Sequence, residues 1–409
     1  MSPPAGSRNA HRALLVGLSL YAVMTAWLLR LPCRVPGWGA AESLPALCAT
    51  EIVPGEASAA GGFLTGGPAG DQPALVGMVT TVLGRLAAGL SAPSGAGADP
   101  AVVADLSVLL LAGAWIGTVA AVSALSGRRG ADAFVLALAP VAVLVGFGTW
   151  DLWAVLLMVL ALLLHVRGSP VPAGILLGLA ASVALFPLVV LLAVLLLGVR
   201  YRQFRDVAVV LAGTVLTWTL VNGPFLLADR DRWAEQLGTP WGGPAAGSSL
   251  WGVWARTEQA RTGSGPAPAG EWVLLALVLG LVAVLVLTLL TRQEPSVVQI
   301  SFLLLAVLVL AGPAYSLVHA LWLAPLVVLS RRRWPEFAVW QLVEVLWWTT
   351  LVLPEPSWPV LPGLGAVGWD AQDLLAAVRV LLLALLVVAV AVDVLRGGRA
   401  RGIGLSESG

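Results

Sequence analysis

The chain has 409 residues, of which 59% are hydrophobic and only 11% charged, with a mean hydropathy of +0.92. Such values lie far outside the soluble globular range and exclude a water-soluble enzyme or a nucleic-acid-binding module, so the chain reads as an integral membrane protein. The net charge of +1 selects no partner, and no polar stretch is long enough to hold a core of its own, so a single membrane domain is expected over residues 13–395.

Breaking the sequence at charge and Gly/Pro clusters, with ~17–25 apolar residues per crossing, places spans near 13–31, 104–124, 132–148, 151–166, 171–185, 187–199, 206–227, 272–291, 297–312, 318–330, 336–353 and 373–395. The expected fold class is an all-α polytopic membrane protein with about twelve transmembrane helices. The pair around Phe186-Pro187 can alternatively form a re-entrant hairpin. The first span is too long for a signal-peptide core and runs into Pro32-Cys33-Arg34 rather than a small-residue cleavage site, so it reads as a retained anchor.

All 23 basic residues are arginine, and fifteen of them fall on one side of this threading. They are Arg8, Arg12, Arg128, Arg129, Arg167, Arg200, Arg202, Arg205, Arg292, Arg331 to Arg333, Arg396, Arg399 and Arg401. The positive-inside rule makes that side cytoplasmic, together with the N-terminal residues 1–12 and the tail 396–409. Residues 73–90 are apolar enough to cross, but a crossing there would invert the charge bias of every later loop. An interfacial helix with Arg85 toward the headgroups is expected instead.

The opposite face then carries two long loops, 32–103 and 228–271, and two turns, Gly148-Thr149-Trp150-Asp151 and Gly312-Pro313-Ala314-Tyr315-Ser316. Cys33 and Cys48 share the first loop, and in an oxidising compartment they would bridge, stabilising by about 3 kcal/mol in the chain-entropy model; two unrelated thiols are the alternative. His11, His165 and His319 stand apart from one another and from the cysteines, so no metal site is expected. The Gly pairs Gly61-Gly62, Gly66-Gly67 and Gly242-Gly243 lack the strand–turn–helix setting of a phosphate loop and read as flexible chain.

Carboxylates and aromatics gather at the boundaries. Asp151 opens a span between Trp150 and Trp153, where it either complements a helix N-terminus or floors an outer cavity. Glu51 follows Cys48 closely; it is either a solvated acid or a well-held carboxylate suited to general-base chemistry on a hydroxyl. Glu344 sits mid-span, where an acid must face the bundle interior or a cavity. Trp233, Trp241, Trp251 and Trp254 stand beside Arg230, Arg232 and Arg256, as interfacial belt residues or as a surface for a sugar ring and a lipid-linked phosphate.

The order of these features resembles the actinobacterial membrane glycosyltransferases of family 87, polyprenol-phosphate-mannose-dependent enzymes of the GT-C fold. The resemblance runs from Pro32-Cys33 to Trp340-Gln341-Leu342-Val343-Glu344-Val345-Leu346. Cys48-Ala49-Thr50-Glu51-Ile52 is similar to a family segment ending in Ser-Asp-Ile, which places Glu51 at the catalytic aspartate. Thr149-Trp150-Asp151 is similar to Asn-Trp-Asp, and Ser249-Leu250-Trp251 to a Ser-Leu-Trp of the large outer loop. Three positions depart: Asp71-Gln72-Pro73 stands for Glu-Tyr-Pro, Ala184-Leu185-Phe186-Pro187 for Lys-Leu-Tyr-Pro, and Pro313-Ala314-Tyr315 for Pro-Gln-Tyr or Pro-Gln-Phe.

The resemblance implies a GT-C-like helical bundle that moves mannose from a polyprenyl-phosphate sugar to a lipid or glycan acceptor of the cell envelope, needing no cofactor. Glu51 would be the base, and Arg34, Arg230, Arg232 and His319 would steady the departing lipid phosphate. Asp71, Asp151, Trp251 and Tyr315 would complete the substrate site. The three departures keep a second reading open, a non-catalytic homologue that scaffolds envelope assembly or binds a lipid-linked glycan. A transporter is disfavoured, since the dominant loop has no counterpart midway along the chain.

Overall fold

Prolines set many of the helix starts, because a residue without an N–H is tolerated in the first turn, where donors are unpaired anyway. Pro100, Pro140, Pro170 and Pro335 all occupy such positions. The computed structural model describes residues 5–34, 48, 52, 72–90, 99–127, 131–231, 233–234, 248–263, 270–331, 333–353 and 370–397, and every regular element among them is helical. Five segments are long and apolar enough to cross a bilayer: Asn9–Cys33, Pro100–Ser126, Phe204–Ala228, Gly270–Leu290 and Ala371–Arg396. The other apolar helices are shorter.

The chain divides into two compact units. One comprises Met1–Leu191, Phe204–Leu237 and Gly402–Gly409, the other Leu192–Gln203 and Gly238–Arg401. In the first, α1 (Ala5–Leu29) ends in a 3-10 turn, Leu31–Arg34. Next come α2 (Ala74–Leu90) and α3 (Pro100–Ser126), the latter capped by the Asp99 carboxylate, which accepts from the Ala101 amide at 2.9 Å. The expected span 132–148 is not one helix. It breaks into α4 (Ala131–Ala137), α5 (Pro140–Leu144) and a 3-10 turn at Gly146–Gly148. Pro140 is the cause, since its ring clashes with the carbonyl four residues back and it offers no amide to continue α4.

α6 (Asp151–Val166) and α7 (Pro170–Ala181) follow, then α8 (Leu188–Tyr201), which begins in the first unit and ends in the second, and α9 (Phe204–Ala228). The break at Ser182–Pro187 falls where the Phe-Pro turn was expected. α3 packs against α1, α2, α4 and α6, while α7 lies against both α6 and α9. α2 buries Ala74, Val76, Gly77, Thr80, Leu83, Gly84 and Ala87 and turns Met78, Val82, Leu86 and Arg85 outward.

The α7–α9 contact is backbone on backbone. Gly174 and Gly178, one turn apart, face Val210 and Thr214, and the Thr214 hydroxyl donates to the Gly174 carbonyl at 3.2 Å. A Cβ at Gly174 would stand 2.6 Å from the Val210 carbonyl oxygen, and one at Gly178 would stand 2.6 Å from that of Thr214. Small residues four apart permit this approach between membrane helices. Gly178→Ala is therefore expected to lower stability by roughly 1–3 kcal/mol through overpacking, read as a drop in Tm in detergent. Gly17→Ala is the control, because nothing lies within 4 Å of its Cβ position.

The second unit holds α10 (Leu250–Thr262), α11 (Gly270–Leu290), α12 (Val297–Ala311), α13 (Leu317–Ser330), α14 (Trp334–Val352) and α15 (Ala371–Arg396). α12 is almost wholly buried and packs against α11, α13 and α15. α11 is the opposite: Trp272, Leu274, Leu275, Val278, Leu279 and Val282 are all exposed. An apolar face this wide, on a helix long enough to cross a bilayer, suits a lipid-facing position. At one end of this unit, Arg200 donates to the carbonyls of Thr288, Thr291 and Gln293, closing the C-terminus of α11. Arg331 pairs with Glu336 and Asp393, and those carboxylates raise its pKa further.

Candidate functional site

In the first unit the end of α1 carries the cysteine bridge. Cys33 and Cys48 are bridged, both buried, with their Cα atoms 5.5 Å apart. The Cys33 amide donates to the Arg30 carbonyl at 3.1 Å, which ties the bridge to the helix end. Ile52 is also buried. Glu51, Asp71 and Arg232 lie outside the described residues, as does the side chain of Arg34.

Arg30 itself is 6% exposed. Its Nη1 donates to the carbonyls of Ala26 and Val143, each at 3.3 Å, and its Nη2 donates to that of Leu144 at 2.6 Å. The guanidinium thus joins α1 to the end of α5, and the Gly146–Gly148 turn presses against it, with a Cβ at Gly148 standing 3.2 Å from Nη2. The next residues are the predicted Trp-Asp turn. Trp150 is buried, edge-on to Trp153 at 5.8 Å, and the Asp151 amide donates to the Thr149 hydroxyl at 3.3 Å. Asp151 occupies the first turn of α6, where a carboxylate complements the helix dipole. Arg230 is exposed just beyond α9.

In the second unit the candidates meet around the Gly312–Ser316 turn. The Tyr315 hydroxyl donates to Glu344 Oε1 at 2.7 Å and accepts from Trp340 Nε1 at 3.1 Å. Arg379 Nε donates to Glu344 Oε2 at 2.9 Å, and Nη2 lies 2.7 Å from the same oxygen. Arg379 Nη1 donates to the Tyr315 carbonyl at 3.1 Å. The guanidinium is held between the Tyr315 and Trp347 rings, 4.2 and 3.9 Å from their centroids. Glu344 and Arg379 are both 0% exposed and Tyr315 only 1%. Each charge here has its partner, which is the condition for a buried pair to persist.

This network holds the start of α13 and with it His319. The Ser316 amide donates to His319 Nδ1 at 3.0 Å, and the Ser316 hydroxyl lies 2.8 Å from the same nitrogen. A ring nitrogen that accepts from a backbone amide is unprotonated, so in the neutral ring Nε2 carries the proton and is a donor. Trp322 lies against the ring at 4.4 Å. Trp251, near the start of α10, donates through Nε1 to the Ala311 carbonyl at 2.9 Å, and Arg256 pairs with Asp373 of α15. Trp251, Tyr315 and His319 are thereby gathered at one turn.

The sequence matches the family model described as Glycosyltransferase family 87 over residues 79–313, more than half of the chain. The chain belongs to glycosyltransferase family 87. No curated protein and no solved structure matches it. Family 87 membership indicates a membrane glycosyltransferase, in keeping with the exposed apolar helices. The family 87 match includes Thr149-Trp150-Asp151 and Ser249-Leu250-Trp251, whereas Glu51, Asp71, Tyr315 and His319 lie outside it.

Two residues escaped sequence reasoning. Arg379 is the one arginine inside the expected span 373–395, whose other charges, Asp373 and Asp393, lie at its ends, and an arginine at that depth is the signal that would have paired it with Glu344. Arg30 read as the end of the first span, and only its partners distinguish it from a residue at the water boundary.

Proposed function

We propose that this family 87 protein transfers mannose from a polyprenyl-phosphate donor to a lipid or glycan acceptor of the cell envelope, at the extracytoplasmic face. The observation that carries the reading is family membership, joined to a buried Cys33–Cys48 bridge in the segment that bears Glu51. Glu51 takes the proton of an acceptor hydroxyl as its oxygen attacks the anomeric carbon. The bond from that carbon to the phosphate oxygen breaks, and polyprenyl phosphate leaves with the electron pair, inverting the sugar. Arg34, Arg230 and Arg232 offer positive charge to the leaving phosphate. Asp71 and Asp151 complete the substrate-binding residues of the first unit.

About twelve crossings, with both termini cytoplasmic, put the loops 32–103 and 228–271 on the outer side with this chemistry. A single GT-C-like membrane domain contains it. The purified protein in liposomes, given labelled polyprenyl-phosphate mannose and a lipid extract as acceptor, is expected to release polyprenyl phosphate and form labelled product in equal amounts. The departures at Gln72, Ala184 and Ala314 favour the second reading, a scaffold or lipid-linked glycan binder. Donor binding without turnover would establish it.

A further inference from the structure

We propose that Arg30 holds a phosphate-class anion at the end of α1, and, resting on the reading above, that this anion is the phosphate of the polyprenyl lipid. The guanidinium is always charged and is buried. Its three acceptors are neutral main-chain carbonyls of Ala26, Val143 and Leu144. Carbonyls at helix ends favour a cation, which accounts for the two Nη groups. They do not neutralise it, and no carboxylate pairs with Arg30 among the described residues, whereas buried Arg379 has Glu344.

The remaining donor decides the matter. Arg30 Nε is buried with no acceptor among the described residues. Nη2 has two hydrogens and donates to the Leu144 carbonyl. Nε–H and the second Nη2–H form one edge of the planar fork, the edge that binds two oxygens of a phosphate in parallel. Trp150 Nε1, two residues beyond Gly148, is a second buried N–H without an acceptor among the described residues. Buried donors in proteins are almost always satisfied. A buried cation with no carboxylate among the described residues and an open donor edge calls for an anion with several acceptor oxygens. Polyprenyl phosphate and a phospholipid headgroup share that chemistry.

The test uses the full chain in phosphatidylcholine nanodiscs, with decaprenyl monophosphate, decaprenol and phosphatidylglycerol as probes and binding read by native mass spectrometry and ligand-induced Tm shift. Wild type is expected to bind decaprenyl monophosphate and not decaprenol. Arg30→Gln, which removes the charge, is expected to weaken binding about tenfold or more, with Arg30→Lys between the two. Gly148→Ala sets a methyl group 3.2 Å from Nη2 and displaces the fork, so it should weaken binding a few-fold even if the Arg30 variants do not fold. Unchanged decaprenyl monophosphate binding in Arg30→Gln or, where that does not fold, in Gly148→Ala overturns the inference, makes Arg30 a helix-end cap, and leaves the glycosyltransferase reading standing. Arg30-dependent binding of phosphatidylglycerol with no binding of decaprenyl monophosphate supports the anion site and overturns the polyprenyl-phosphate donor.

Discussion

Glu51→Gln is expected to lower sugar transfer by ~10²–10⁴-fold while leaving donor binding unchanged, because glutamine keeps the shape of the side chain and cannot accept the hydroxyl proton. On the proposed function Glu51, rather than Asp71 or Asp151, is the base. Its described neighbours Cys48 and Ile52 are both buried, and Cys48 is bridged to Cys33. Glu51→Asp should retain part of the activity, since it keeps the carboxylate one methylene shorter. Single-turnover measurement with labelled donor separates the chemical step from binding. Equal rates for Glu51→Gln and wild type would remove Glu51 from the reaction.

Breaking the Glu344–Arg379 pair is expected to cost ~3–5 kcal/mol of stability, because either single replacement leaves an uncompensated charge in the interior. Glu344→Gln preserves an acceptor for the Tyr315 hydroxyl, so its loss reports the ion pair rather than the hydrogen bond. Arg379→Lys keeps the charge and loses both the Nε bond to Glu344 Oε2 and the stacking between Tyr315 and Trp347, so it should be destabilising as well. The combined Glu344→Leu, Arg379→Met, Tyr315→Phe and Trp340→Phe variant removes the charges together with the hydroxyl and the indole N–H that would be orphaned, and should recover part of the loss. Tm values of the single and combined variants in detergent give the coupling directly. Strict additivity would show that the pair contributes nothing beyond its separate packing.

What was legible along the chain is what depends on short stretches. Apolar runs, the break at Phe186-Pro187 and the closeness of Cys33 to Cys48 follow from local composition and chain connectivity, and the structure has helices, a turn and a bridge at these places. The break at Pro140 was equally local, yet the apolar run across it read as one span because hydropathy averages over the residue that stops the helix. Glu344 stood out because an acid in a span demands a partner, but the partner is 35 residues away and nothing local names it.

Three-dimensional packing alone decided which polar groups are satisfied. Tyr315 looks, in sequence, like a side chain open to substrate; its hydroxyl is committed to Glu344 and Trp340. Gly174 and Gly178 look like ordinary helix glycines; they carry a backbone contact with α9 that admits no side chain. Arg30 looks like a boundary arginine; burial beside α5 without a countercharge among the described residues makes it a candidate anion site. Composition determines that this chain belongs in a bilayer, because the cost of exposing apolar surface to water is additive along the sequence. Hydrogen bonding and charge pairing are not additive in that way: they depend on which helices come together, and so only the tertiary structure assigns them.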